Sequence, residues 1–268
     1  MRISVYNLHN GGTGRADPLA EVLLAGLPDV VVATESTDEA VLARLASRLG
    51  MDLATAGGES GSVSVLTRVE MVHSINHSAL WAEGQRGEWG GQVPAVLEAV
   101  VRLPSGSEMH VFGVELSAGV GEHAERLRVG QVRRILELTA QLRRESRPHV
   151  VAGTLHTVSP LQVIDPSRAE PEFARVVGRE CAGLLTREGY ADAFAEVNAE
   201  SVAGAGTYST QRPGVRLDYV FAHGVLTRSS RIETDRLATY ASDHYPLLAE
   251  LAWGCGITSV ERVPARCT

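Results

Sequence analysis

An α+β sandwich, two β-sheets packed face to face with helices outside, is the fold class this sequence predicts, on three observations. Short apolar strands outnumber helices along the 268 residues. Hairpin-like strand pairs mix with helical crossovers. The chemistry-bearing polar residues fall at strand ends rather than within helices. The length allows a substantial core in one or two domains. Nothing reads as a linker, a low-complexity run or an internal repeat. The expected organisation is one domain over 1–253 with a C-terminal tail over 254–268.

Arg2–Tyr6 reads as a buried strand that stops at the turn-rich Asn7-Leu8-His9-Asn10-Gly11-Gly12. Asp17-Pro18 predicts a helix start, with Asp as N-cap and Pro in the first helical position. The run Val30-Val31-Val32-Ala33 suits a strand covered on both faces, closing at Thr34-Glu35-Ser36. Asp38–Leu49 predicts a helix with Val41, Leu42, Leu45 and Leu49 on one face and Gly50 closing it. Ser62–Thr67 alternates like a strand. His73 to Gln92, Gly- and Trp-containing, reads as a long loop able to line or cover a pocket. Ala95–Leu103 and Met109–Leu116, joined by Pro104-Ser105-Gly106-Ser107, read as an antiparallel hairpin. Helices follow over Glu122–Arg144 and Glu170–Glu188, with a buried strand at Pro148–Ala152 between them. Leu217–Ala222 is a strand carrying Asp218, and Leu247–Ala252 is the last strand.

Charge and composition narrow the function. A net charge of −7 argues against a nucleic-acid partner, since binding a polyanion normally takes a basic face. All 25 basic residues are Arg, which reads as codon usage rather than chemistry. No apolar run is long enough for a membrane span or a signal peptide, so a soluble, cytoplasmic chain is expected. Cys181, Cys255 and Cys267 are too few and too irregular for a disulfide or zinc framework. A small-molecule substrate is the expected partner.

The sharpest local signal is Tyr240-Ala241-Ser242-Asp243-His244-Tyr245-Pro246, where an Asp and a His stand just before an apolar strand whose mouth is marked by proline. Asn7, Glu35, Glu115, Thr154, His156 and Asp218 sit at comparable strand ends. His73-x-x-x-His77 has ligand spacing but lies in the loop-like segment, where a surface role is the simpler reading. Gly11-Gly12-Thr13-Gly14 lacks the Lys of a phosphate-cradling loop and reads as a turn. Trp81 and Trp89 are candidates to meet a substrate from the loop, while Trp253 reads as covering the core edge.

Several pieces fit one family in order. They are Tyr6-Asn7 after the first strand, Ala33-Thr34-Glu35 closing the second, and Gly61-Ser62-Val63-Ser64-Val65-Leu66-Thr67-Arg68. Arg128-x-x-Gln131 opens a helix, Gly153 follows a buried strand, and Arg216-Leu217-Asp218-Tyr219-Val220-Phe221 and Ser242-Asp243-His244 complete the set. From Arg2 to about Ala252 the chain resembles the endonuclease/exonuclease/phosphatase superfamily, with its deoxyribonuclease-I-like four-layered α/β/β/α sandwich of two mixed sheets. The resemblance implies a phosphoester hydrolase dependent on a divalent cation, Mg²⁺ or Mn²⁺. It casts Glu35 as metal-binding, Asn7 as ordering that site, Asp243 as the acid beside the metal, and Asp218–His244 as the family's Asp–His pair. The chemistry agrees. Hard cations prefer carboxylate oxygen, and a carboxylate facing His fixes its tautomer and raises its basicity.

Departures from the family pattern cluster in the other half of the site. Gly153-Thr154-Leu155-His156 stands where the family has Gly-Asp-x-Asn, so Thr154 replaces the Asp that orients the attacking water and His156 the Asn. Glu115-Leu116 stands where the family has His-Leu. At about 4 Å a carboxylate there would repel a phosphate charge by ~4 kcal/mol at an effective dielectric of ~20.

Three readings follow. The first is a divergent hydrolase of a small, non-nucleic phosphoester. Glu35 and Asp243 hold the cation, and Asp218–His244 is the acid/base. The lowered pKa of coordinated water stands in part for the missing Asp. His156, with Glu35, Glu115, Asp243 or His244, would also suit a mixed nitrogen/oxygen site for Mn²⁺, Fe²⁺ or Zn²⁺. The second is non-hydrolytic acid/base chemistry, a cyclisation or rearrangement in secondary metabolism, with Glu115 and His156 as acid and base. The third is a binding module without chemistry, in which the same side chains are ordinary strand-end groups. The candidate site residues are Asn7, Glu35, Glu115, Thr154, His156, Asp218, Asp243 and His244, with Thr154, Trp81 and Trp89 as substrate contacts; the third reading predicts no ordered cluster of Glu35, His156, Asp218 and His244.

Overall fold

In the computed structural model, residues 1–59, 61–84, 93–175 and 179–252 are described. Trp89, Trp253 and the expected tail, 254–268, lie outside the described residues. Among the described residues there are twelve strands: β1 (Arg2–Asn7), β2 (Val30–Thr34), β3 (Asp52–Gly57), β4 (Ser62–Thr67), β5 (Met71–Asn76), β6 (Ala95–Arg102), β7 (Glu108–Glu115), β8 (His149–Thr154), β9 (Ala191–Asp192), β10 (Asp218–His223), β11 (Leu226–Ile232) and β12 (Leu247–Ala252). The helices are α1 (Ala16–Gly26), α2 (Glu39–Leu49), α3 (His77–Gly84), α4 (Glu122–Leu138), α5 (Ala140–Arg144), α6 (Glu180–Arg187), α7 (Ala193–Val197) and α8 (Arg236–Ala241).

The strands form two six-stranded sheets, in the orders β11-β12-β1-β2-β4-β3 and β5-β6-β7-β8-β10-β9. Each is mixed: β1–β2 and β7–β8 are parallel and the other pairings antiparallel. Strand alternation sorts the apolar side chains into three layers. Val5, Val32, Val65, Val111, Ala152 and Val220 fill the space between the sheets. Tyr6, Val31 and Leu66 point outward against Leu19, Leu23 and Leu45 of α1 and α2. Phe112, Val151 and Phe221 point outward against Val132, Ile135 and Leu185 of α4 and α6. The result is the expected four-layered α/β/β/α sandwich.

Local signals account for most element ends, and several differ from expectation. Asp38 caps α2 by accepting from the N–H groups of Ala40 and Val41, and Gly50 closes it at φ +61°. Helix α1 starts at Ala16 with Arg15 in the cap position and no side-chain cap. Asp17, expected as the N-cap, instead pairs with Arg44 and Arg48 of α2. The 122–144 helix divides at Thr139, whose hydroxyl bonds back to Ile135 O at 2.9 Å, a contact that competes with the helical ladder. The 170–188 segment holds a 3₁₀ turn, Pro171–Arg175, and then α6 rather than one helix. The expected 73–92 loop contains part of β5 and all of α3, and His77 of the His-x-x-x-His pair is buried against Glu98 at 2.8 Å. Among the described residues no helix is long and apolar enough to cross a membrane.

Candidate active site

Register brings the polar strand ends together. Asn7 lies opposite Thr34 in the β1–β2 pair, Glu115 opposite Thr154 in β7–β8, and Asp218 opposite Thr154 in β8–β10. Both parallel pairs therefore end, and β10 begins, at one edge of the sandwich. Strand β12 enters there too, Leu247 pairing with Val5 just after His244. The hydroxyls of Thr34 and Thr154 are 2.6 Å apart and stitch the sheets together at this edge. Gly153 lets β8 pair closely with β7 here: at φ +149°, a Cβ would lie 1.8 Å from Val114 O.

Asp218 and His244 form a buried pair. Asp218 Oδ2 meets His244 Nδ1 at 2.7 Å, and Oδ1 accepts from the Thr154 hydroxyl at 2.7 Å. Burial opposes charge on both groups, but their mutual attraction and hydrogen bond outweigh it, so the imidazole is raised and the carboxyl lowered. Asp243 and Glu35 add to the pull on His244. With Nδ1 engaged, Nε2 is the ring nitrogen left for a ligand. Ser242 fixes the strand mouth, its hydroxyl donating to Asn7 O at 2.7 Å and accepting from His244 N at 3.1 Å.

Glu35 occupies the opposite wall. Its backbone is left-handed, φ +49°. Asn7 Nδ2 donates to Oε1 at 3.1 Å and Asn10 N to Oε2 at 2.8 Å. Burial raises the Glu35 pKa, yet these two bonds, with the charges of His244 and His156, bring it below the ordinary value. Asn7 is fully buried and also accepts from His9 N at 2.8 Å, so it positions Glu35 rather than meeting a substrate. His9, which the sequence reading passed over, pairs with Asp243 at 3.0 Å. Its place two residues after Asn7 in the same turn was the available signal.

The rewritten residues have become scaffold. Glu115 is buried, and one carboxylate oxygen accepts both Glu35 N at 2.9 Å and Ser62 N at 2.8 Å. Gly61 makes the room, since a Cβ there would stand 2.3 Å from Glu115 Cδ. Glu115 therefore corrects the expectation of a catalytic acid: its charge is spent on the backbone beneath Glu35. Thr154, expected at the substrate, is sealed between Thr34 and Asp218 with no exposure. Trp81 packs on the outer core, its ring 6.2 Å from that of His77, and does not line the cleft. His156 does reach it, on a left-handed backbone of φ +49°, with a buried Nε2 that no hydrogen bond satisfies, 4.0 Å from Glu115 Oε1.

A cleft of about 380 Å³ opens between these walls. Glu35, His156, Asp243 and His244 line it, with His9 and Asn10. A rim foreseen by no motif completes it: Ala118–Val120, Glu172, Phe173 and Tyr208. Arg128 holds that rim, donating to Ser117 O at 2.9 Å and Gly119 O at 2.8 Å while paired with Glu125 at 3.0 Å. Among the described residues no Arg lines the cleft.

The implied divalent cation finds part of what it needs. Glu35 and Asp243 offer carboxylate oxygens to one cleft, enough for Mg²⁺ or Mn²⁺, which keep several waters and take one or two protein carboxylates. A closed cage is not formed: among the described residues no three His, Cys, Asp or Glu converge on an ion position. This corrects the mixed nitrogen/oxygen site expected around His156.

No family model matches the chain, and no curated protein matches it in sequence. Solved structures do match in fold. An endonuclease/exonuclease/phosphatase from Beutenbergia cavernae aligns over 95% of this chain and 72% of its own, at 20% identity and a TM-score of 0.71. The mannosyl-6-phosphatase of Bacteroides thetaiotaomicron aligns over 94% and 100%, at 15% identity and a TM-score of 0.70. The catalytic domain of human Nocturnin with bound sulfate aligns over 95% and 94%, at 18% identity and a TM-score of 0.69.

Proposed function

For a chain with the fold of the endonuclease/exonuclease/phosphatase superfamily, we propose a divergent phosphoester hydrolase acting on a small, non-nucleic substrate. The observation that carries this reading is the buried 2.7 Å Asp218–His244 pair opening onto the cleft that Glu35 and Asp243 line. A histidine oriented by a buried carboxylate is built to hold or move a proton at Nε2. Asp218 fixes the tautomer, and Thr154 in turn fixes Asp218. Asn7 and Glu115 hold Glu35 from its side chain and its backbone. Glu35 and Asp243 are the residues to hold Mg²⁺ or Mn²⁺, which would supply Lewis-acid stabilisation of phosphoryl charge and a lower pKa for water. A cation is also what an anionic substrate would require, because the cleft presents carboxylates and no Arg among the described residues. That same charge balance disfavours a polyanion such as nucleic acid.

A second reading, acid/base chemistry on an uncharged substrate, is favoured by the same lack of a phosphate-gripping cation. It now falls to His156 and His244, since Glu115 is sealed away. A panel of phosphomonoesters and phosphodiesters, assayed with Mg²⁺, with Mn²⁺ and with chelator, tests the first reading. Metal-dependent turnover of a small ester is expected, falling about 10²–10⁴-fold in Asp218→Asn and His244→Ala. No turnover across the panel with either metal, or turnover that His244→Ala leaves intact, refutes it.

A further inference from the structure

The rim that no motif foresaw is aromatic and acidic. Tyr208 packs edge-on against Phe173, ring centres 5.7 Å apart, and lies 4.8 Å from the ring of His244. Glu172, exposed beside Phe173, lines the same cleft as Glu35 and Asp243. The Tyr208 hydroxyl is raised first by burial and then by the charges of Asp243, Glu172, Glu170 and Glu35, so four carboxylates bear on one ring. His244 and His156 bear on Glu35 and His9 is paired with Asp243, whereas among the described residues Glu172 faces the cleft without an ion pair. At the cleft wall, His156 Nε2 has no hydrogen-bond partner among the described residues and stands 4.0 Å from Glu115 Oε1.

Two carboxylates suffice for a hydrated metal, and those are Glu35 and Asp243. Glu172 is surplus to that task, and so is the face of half-buried Tyr208, which packs on the core cluster that holds Phe173; their combination fits a different cation. Aromatic faces attract organic cations through the ring quadrupole, most strongly alkylammonium groups that bring little hydration with them. A neighbouring carboxylate adds charge attraction without requiring a fixed geometry.

We infer that the cleft selects a substrate carrying an organic cation, an amine or quaternary ammonium, seated against Phe173 and Tyr208 beside Glu172. The inference rests on the reading above only in that it takes the His244 cleft to be the substrate site. The substrate would then be zwitterionic, its ester facing His244 and its cation facing the rings.

Calorimetry on the full chain, in metal-free buffer, compares choline with neohexyl alcohol, its uncharged isostere. Choline is expected to bind at least about tenfold tighter, from the cation–π and carboxylate contributions together. Glu172→Gln and Tyr208→Leu should close most of that gap, and Tyr208→Phe, which keeps the ring and guards against a folding artefact, should preserve it. Equal binding of the two probes overturns the inference, as does a gap that Glu172→Gln and Tyr208→Leu leave unchanged. His244→Ala separates the two claims: it should lower turnover about 10²–10⁴-fold yet keep the choline gap. A chain with the gap but no turnover refutes the hydrolase reading alone.

Discussion

Gly61 and Glu115 are predicted to be energetically one unit, and a double-mutant cycle tests this. Glu115 Oε2 accepts the N–H groups of Glu35 and Ser62 at 2.9 and 2.8 Å, and an added Cβ at residue 61 would come within 2.3 Å of Glu115 Cδ. The side chain could swing away, but only by releasing both N–H groups. A hydrogen bond to a charged group contributes ~1.5–3 kcal/mol, and a buried donor left alone costs on the order of 1–3 kcal/mol. Gly61→Ala should therefore destabilise by about 3 kcal/mol. Glu115→Ala should cost a similar amount, since it orphans the same donors. In the Glu115→Ala background the space is empty, and Gly61→Ala should cost less than ~1 kcal/mol. The expected coupling is ~2–3 kcal/mol, well outside the scatter of independent sites. Urea unfolding of the four proteins, read at constant m-value, gives the cycle. The reasoning fails if Gly61→Ala costs the same with and without Glu115, or if it is harmless in the wild-type chain. Glu35 would register the loss as well, because its left-handed backbone is held by the bond to Glu115.

Two further outcomes bear on the scaffold and the site. His149 is fully buried, its ring bonded to Tyr190 OH and Arg147 O, and burial first of all pushes its pKa down to about 4. An unfolded imidazole takes its proton near 6.5, so between pH 6.5 and about 4 the unfolded state binds the extra proton and stability falls as pH drops. The gap of about 2.5 sets a ceiling of ~3 kcal/mol; urea midpoints across that window should flatten in His149→Gln, and an unchanged slope would refute the assignment. Thr154→Asp, which restores the family's residue, should lower stability by at least ~3 kcal/mol and leave turnover no higher. It replaces the donor to buried Asp218 with a second carboxylate; a variant of wild-type melting temperature with faster turnover would contradict this.

The strands that the sequence hid share one property. β3, β5, β9 and β11 were missed or read as loop, and they are the four sheet edges. An edge strand has one unpaired side and is often wetted, so it loses the apolar run that betrays a buried strand. Thus Leu226–Ile232 is mostly polar and exposed, whereas β1, β2, β8 and β10, all central, were legible from their buried apolar runs. Site residues divide the same way. Those at the ends of central strands followed from pattern and from the family's motifs. Glu172 comes from the 3₁₀ turn Pro171–Arg175, where one helix was expected, and Tyr208 from a loop placed by bridges to Val215 and His244.

The altered residues were visible as departures, but what they do was not, because it depends on groups that carry no sequence signal. A carboxylate at 115 reads as a repulsive charge in a phosphate site until two backbone N–H groups and a glycine are found around it. A threonine at 154 reads as a lost water-orienting group until its hydroxyl is found bracing Asp218. Both side chains have turned from the cleft into the wall behind it. Of the three departures, His156 alone lines the cleft, together with His244, Glu35 and Asp243. At 115 and 154 the substituted side chains are hydrogen-bonded into that wall, Glu115 Oε2 by two N–H groups and the Thr154 hydroxyl by Thr34 and Asp218, as buried polar groups in a specified structure are.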